Sequence, residues 1–264
     1  MDYKPIHCDS LVKRITKKDV LFKGKYSIDP YQNCEFGCLY CDSAYDKTIY
    51  IKMNANELLE EELKSVEKGV IIVGSVHDPY QKAEKKYEIT RNLLKTIKKY
   101  DYRCHIITKS SLVLRDLDLL SSMSCIVTIS LISLDKVISN IFELNLPSPE
   151  ERLQIVNTLG ENGITTGVAL IPILPYIVDN KLEEIVKVAA SSDAQYFLHK
   201  HLELKGDQTM MFKSVIRKHY SHLSSRYEES YKDDFKPCRK YISDVNRKIS
   251  IYCKKYDISE KIIL

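Results

Sequence analysis

Six short runs rich in β-branched and apolar residues recur along the chain, each followed by a stretch with helical or turn character. That alternation limits the fold more than any other feature. KYSIDPY (25–31), VIIVGS (70–75), CHIITK (104–109), CIVTISL (125–131), TTGVALIPI (165–173) and QYFLHKHLEL (195–204) read as strands. NANELLEEELKSVEKG (54–69) has helical periodicity with Gly69 placed to end it, and a second helix is expected near 84–99. RDLDLLSSM begins a short helix, and KLEEIVKVAAS forms another. In LPSPEERLQIVNTLGENG (146–163), Ser148 can cap a helix, Pro149 suits its first position, and Glu151 completes a capping box. Strands alternating with helices predict parallel βα units. Six units predict an α/β fold, a partial TIM barrel of (β/α)6 type, with its site at the C-terminal ends of the strands. Residues 205–264 lack a strand pattern and predict two helices, near 209–223 and 238–255. The expected organisation is an N-terminal extension (1–24), the barrel (25–204) and a helical C-terminal extension (205–264).

A chain of 264 residues can bury one such core. Its first twenty residues are polar and charged, unlike a signal peptide. Its most apolar stretch, GVALIPILPYIV (167–178), is broken by Pro172 and Pro175, so no membrane span is expected. A cytoplasmic location follows as the expectation, with the eight cysteines present as thiols or metal ligands rather than disulfides. The net charge of +4 is uneven: residues 1–28 hold seven Lys/Arg against three Asp/Glu, and 199–264 hold fifteen against nine. Positive ends can mark a face for a polyanion; solvated lysines on amphipathic helices explain them more simply.

Against this background, NCEFGCLYCD (33–42) stands out, with three thiols spaced C-x3-C-x2-C directly after the first strand. A structural zinc site takes four Cys or His ligands, often as two separated pairs. Cys34, Cys38 and Cys41 have no second pair; His7, Cys8 or Cys238 would have to complete the set by distant folding. Three thiolates also suit a cubane iron–sulfur cluster with one iron left to a non-protein ligand, and the spacing favours the cluster over zinc.

The loop, with an aromatic residue before its last cysteine, resembles that of the radical S-adenosylmethionine (SAM) superfamily. SIDPYQNCEFGCLYC, VGSVHDPYQKAEKKYEITR, ITKSSLVLRDLDLL, TISL, FELNLPSPEERL and LIPILPYIVDN follow in an order similar to the spore photoproduct lyase-like branch, over roughly residues 25–200. The resemblance implies a [4Fe–4S] cluster on Cys34, Cys38 and Cys41, with SAM at the fourth iron. It implies reductive cleavage of SAM to a 5′-deoxyadenosyl radical that abstracts hydrogen from a substrate, and a reduced flavodoxin or ferredoxin as electron donor. The protein's task is then orientation and exclusion of side reactions.

Position by position, the resemblance places Tyr40 against adenine, the Gly74–Ser75 backbone at the methionyl amino group, Lys109 at the SAM carboxylate and Ser130 at the ribose, with His77 beside them. Each has a plainer alternative: a core aromatic, a tight strand-to-loop turn, a surface lysine, a serine bonding its own backbone. Asp78-Pro79 is also an ordinary turn dipeptide. Arg91, Arg115, Asp116, Glu143 and Arg152 match branch motifs and read as ion pairs fixing helices to the barrel. His199 and His201 share one face of the sixth strand, turned either to substrate or to solvent. Cys104 and Cys125 read as small buried hydrophobes, and Cys238 with Cys253 are too few for a second cluster.

The chain departs from the branch at one telling place. Spore photoproduct lyases carry a hydrogen-donating Cys just after strand two, where this chain has Ser75. A hydroxyl holds its hydrogen too tightly to replace a thiol as donor, which argues against thymine-lesion repair by that route. The substrate therefore stays open between a nucleic acid and a peptide, sugar or small metabolite. Tyr220, Tyr227, Tyr231, Tyr241, Tyr252 and Tyr256, interleaved with Lys and Arg in the tail, could stack bases; packing of amphipathic helices against the barrel explains each of them more simply. The competing reading from another class is a zinc-stabilised nucleic-acid-binding module without catalysis.

Overall fold

The structure is a computed structural model that describes residues 1–42 and 47–262. Its strands in chain order are β1 (Asp2–Ile6), β2 (Lys13–Arg14), β3 (Tyr26–Ile28), β4 (Tyr31–Gln32), β5 (Thr48–Lys52), β6 (Ile71–Val73), β7 (Cys104–Thr108), β8 (Cys125–Leu131), β9 (Thr165–Ile173) and β10 (Tyr196–His201). The large sheet has the order β10-β9-β8-β7-β6-β3-β2. From β3 to β10 all its pairings are parallel, and β2 lies antiparallel on β3. The six parallel strands are the six expected from sequence. Covered on both faces, central parallel strands read as unbroken apolar runs; β6 is buried throughout and so are all seven residues of β8.

Helices α1 (Ala55–Glu62), α2 (Glu84–Tyr87), α3 (Ile89–Lys99), α4 (Leu117–Leu120), α5 (Lys136–Phe142), α6 (Pro149–Glu161) and α7 (Leu182–Ser191) connect the strands, and α8 (Gln208–His219), α9 (Ser224–Ser230) and α10 (Arg239–Lys255) form the C-terminal part. The capping box at Ser148 and Glu151 is made in both directions. The helix expected over 84–99 is instead broken at Glu88, whose φ is +49°. Glu84 is the physical reason: its carboxylate accepts the N–H groups of Thr90 (2.9 Å) and Arg91 (3.1 Å), capping a new helix one turn later. Likewise α1 stops well before Gly69, where Lys64 and Ser65 donate to carbonyls only three residues back and tighten the turn.

Sequence reading did not find a second sheet, of order β1-β5-β4. Residues 2–6 pair in parallel with 48–52. Ile49 and Ile51 alternate inward with partly exposed polar neighbours, a period-2 signal in TIYIK that a five-residue window barely reveals.

Inside the barrel a polar thread crosses the strands. The Thr128 hydroxyl lies 2.6 Å from His105 Nε2 and 2.7 Å from the Tyr196 hydroxyl, and His105 Nδ1 meets the Phe22 carbonyl at 2.9 Å. Gly167 makes room for it: a Cβ there would lie 2.4 Å from the Tyr196 ring. The open edge of β10 is partly covered, because Phe197 N–H donates to the Ser259 carbonyl at 2.7 Å beyond α10.

Candidate active site

The cysteine loop follows β4 and is held from three sides. Glu35 accepts the Tyr3 hydroxyl (3.1 Å) and Ala83 N–H (2.7 Å), while its own N–H donates to Gln81 Oε1 (3.1 Å). Gln81 Nε2 returns a bond to the Asn33 carbonyl at 3.1 Å. Leu39 N–H donates to the Phe142 carbonyl, and Cys41 N–H to the Cys38 carbonyl, both at 2.9 Å. The loop thereby turns all three thiols into one cavity of about 60 Å³, shared with Tyr40, Asp78 and Lys109. Burial pushes the thiols of Cys34 and Cys38 up to about 12; next in size, the Asp78 charge adds to the rise at Cys34 and Lys109 opposes it at Cys38.

Tyr40 is anchored deep in the fold. Its hydroxyl donates to Glu143, whose other oxygen meets Arg152 at 2.5 Å; both ion-pair side chains are at most 1% exposed. Arg152 also donates from Nε to the Pro147 carbonyl (2.9 Å) and from Nη1 to that of Ser130 (3.1 Å). The two residues expected to pair structurally do so, and they also fix the aromatic of the cysteine loop. Desolvation, with the nearby Cys38 and Glu143, holds the Tyr40 hydroxyl well above the ordinary phenol range.

The turn after β6 is organised by a residue that sequence reading missed. Asp29, at the end of β3 and 6% exposed, accepts from Ser75 Oγ (3.0 Å), Val76 N–H (2.9 Å) and His77 N–H (3.2 Å). An acidic residue at the C-terminal end of the first strand was the available signal. Gly74 has φ +83°, and a Cβ there would lie 2.3 Å from Pro79 Cδ, so no other residue fits without moving the turn. Asp78 then ties this turn to β7, accepting from Thr108 Oγ1 (2.7 Å), Lys109 N–H (2.8 Å) and Tyr80 N–H (2.9 Å). Burial raises its carboxyl above the usual range despite the opposing Lys109 charge. Lys109 Nζ stands 5.9 Å from the centre of the Tyr40 ring. Burial works to lower its ammonium, but Cys38, Glu143 and Asp78 outweigh it and the net shift is upward.

The thiol cavity opens into a cleft of about 430 Å³ at the C-terminal mouth of the barrel, where Tyr40, Gly74, Ser75, Lys109 and Ser130 all meet. Five of the six candidate SAM contacts thus face one space. The sixth, His77, gives its backbone N–H to Asp29 and is not on the cleft wall. The far end of the cleft carries Lys200, Glu203 and Gln208. Gln208 is 6% exposed; its Nε2 donates to the Glu203 carbonyl at 3.1 Å, leaving the buried Oε1 without a partner among the described residues.

His199 and His201 have ring centres 6.4 Å apart, and His201, which lies beside α10, also lines the 430 Å³ cleft. His201 Nε2 meets Asn246 at 2.8 Å, and desolvation lowers both rings below the ordinary imidazole value. The tail tyrosines are packing. Tyr227 (1% exposed) donates to the Pro175 carbonyl at 2.7 Å, Tyr231 to that of Leu202 at 3.1 Å, and Tyr241 to Asp179 at 2.6 Å, while Tyr220 stacks on Phe142. The buried carboxylates of Glu84 and Asp116 pair with the half-buried Arg91 and Arg115 in an ionic knot between α2, α3 and the turn before α4. Cys104 and Cys125 are buried side by side.

His7, Cys8 and Cys238 do not line the thiol cavity; Cys8 is engaged with Asn54, and Cys238 is exposed on the far helices. Among the described residues no three His, Cys, Asp or Glu side chains converge as ligands of a single ion do. A cubane offers each cysteine its own iron, and three thiols lining one cavity suit its three protein-held corners.

Comparison with known proteins adds to this geometry. The radical SAM superfamily profile matches residues 28–189. An uncharacterized protein of Methanocaldococcus jannaschii is 31% identical over 250 residues, covering 90% of this chain and 89% of its own. Among solved structures, spore photoproduct lyase complexed with dinucleoside spore photoproduct superimposes with a TM-score of 0.72 at 16% identity, over 96% of this chain and 79% of that one. Streptococcus suis SuiB bound to the precursor peptide SuiA gives 0.60 at 14%, over 89% and 47%. No described helix is long and apolar enough to cross a membrane.

Proposed function

The chain belongs to the radical SAM superfamily, and from that membership we propose that it binds SAM at a [4Fe–4S] cluster and uses the 5′-deoxyadenosyl radical to abstract hydrogen from a substrate in the 430 Å³ cleft. The cluster would supply the electron that breaks the sulfonium bond. What carries the reading is the meeting of Cys34, Cys38 and Cys41 with Lys109 in one cavity that opens onto the barrel mouth. The chain's own residues do the positioning. Cys34, Cys38 and Cys41 would hold the cluster, with SAM as its non-protein ligand. Lys109 presents a cation for the SAM carboxylate, and the tightly turned Gly74–Ser75 backbone offers close approach to its amino group. Tyr40, fixed through Glu143, supports the adenine, and Ser130 faces the ribose.

The Ser75 hydroxyl is committed to Asp29 and is not a thiol, so this reading does not extend to lesion repair by thiol hydrogen donation. One structural neighbour is solved with a dinucleoside and another with a peptide. We leave the substrate at that breadth, a nucleic acid, a peptide or a small molecule, and assign the domains as an extension (1–24), the barrel (25–204) and the helical tail (205–264, whose last two residues lie outside those described). Protein purified without oxygen should be brown, with about four iron and four sulfide per chain. Cys38→Ala should abolish 5′-deoxyadenosine formation from SAM under reducing conditions. Colourless protein with one zinc, or undiminished product from the variant, refutes the proposal.

A further inference from the structure

A second cleft, of about 410 Å³, lies on the other side of the cysteine loop, and the chemistry above gives it no role. Phe36, Tyr80, Lys82, Lys85, Arg115 and Pro147 are on its wall. Phe36 is 4% exposed and lines this cleft and the thiol cavity alike, so a single aromatic side chain is the partition between them. The residues on its outer side are cationic for a structural reason. In QKAEKKY (81–87) the one acid, Glu84, is fully buried and engaged by the Tyr31 hydroxyl, two backbone N–H groups and Arg115. Lys82, Lys85 and Lys86 are left exposed with no carboxylate within 4.0 Å among the described residues. Arg115 is neutralised by Glu84 and Asp116, and among the described residues no acidic side chain lines the cleft.

We propose that this cleft is the docking surface for an acidic one-electron donor protein of the flavodoxin or ferredoxin kind, with Phe36 as the wall across which its electron reaches the cluster. The inference rests on the radical reading above and names the partner and face that reading requires. One electron leaves the donor and one arrives at the cluster; no bond or proton is exchanged. The larger cleft is unsuited to the task, because SAM and substrate must fill it together and a radical there must be shielded. Two unpaired ammonium groups beside an apolar floor suit a carboxylate-rimmed redox partner, through steering and orientation rather than great affinity.

The test uses the cluster-loaded protein, kept anaerobic, and an acidic flavodoxin as the probe. For K82E/K85E, the affinity for flavodoxin at low salt should fall at least tenfold, and its salt dependence should flatten. Formation of 5′-deoxyadenosine driven by reduced flavodoxin should slow by a similar factor, while the dithionite-driven rate stays at the parent value. R217E/K218E on α8 changes net charge equally and should leave both binding and rates alone. Unchanged flavodoxin affinity in K82E/K85E overturns the proposal, and so does an equal loss in the α8 variant. Should the parent make no 5′-deoxyadenosine even with dithionite, the radical reading fails, and the affinity comparison still decides the surface.

Discussion

Removing Glu143 tests how the cysteine loop is held, since its carboxylate joins Tyr40 of that loop to Arg152 of α6. In Glu143→Leu the Arg152 guanidinium, 1% exposed, keeps two carbonyl acceptors but loses its counter-charge. Breaking one side of a buried ion pair costs about 3–5 kcal/mol. For a chain of this length each kcal/mol lowers Tm by about 2 °C, so a drop of about 6–10 °C is expected. The double variant E143L/R152M removes the stranded charge. It still leaves the Tyr40 hydroxyl and two carbonyls unpaired, so it should recover part of the loss, about 2 kcal/mol, without reaching the parent. Anaerobic thermal and guanidinium unfolding of the four proteins, followed by circular dichroism, gives the coupling energy. A Glu143→Leu cost below about 1 kcal/mol would refute the reasoning. A double variant as unstable as the two singles summed would refute it too.

Two further outcomes follow from the same structure. Gly74→Ala should weaken SAM binding, measured by equilibrium dialysis, about tenfold or more. The new Cβ meets Pro79 and the backbone is held at φ +83°; parental affinity would mean that the turn yields freely. His105 is lowered by burial to about 4, against about 6.5 when unfolded, so its contribution is complete above pH 6.5 and is lost as the pH falls toward 4. That gap corresponds to about 3 kcal/mol, and His105→Gln should narrow the stability difference between pH 7 and pH 4 by about that amount in denaturant titrations. A variant with the parent's pH slope would contradict it.

The parallel strands were readable because burial on both faces leaves no choice of residue: CIVTISL and TTGVALIPI match β8 and β9 end to end. The Ser148 cap was equally plain, since a capping box is local chemistry. What escaped depended on distant partners. Glu88 breaks its helix because Glu84 caps the next one, and β1 is a strand because β5 exists to receive it. In the site, the cysteine spacing was legible at once, whereas Asp29 was not, because nothing local shows that its carboxylate faces residues 75–77. For the histidines of β10 the sequence leaves two directions open; His201 reaches the cleft, and the helix beside it comes from the far end of the sequence.

An incomplete barrel keeps two raw margins where a closed one has none. On one side β2 contributes two residues; on the other, the Phe197–Ser259 hydrogen bond and the buried Ile262, packed with Tyr196 and Leu198, cover β10. A strand margin stripped of its cover invites copies of the chain to pair with each other. Shortening the protein to end at residue 256 would uncover that margin and strip Ile258 and Ile262 from the core, and the product would self-associate on concentration.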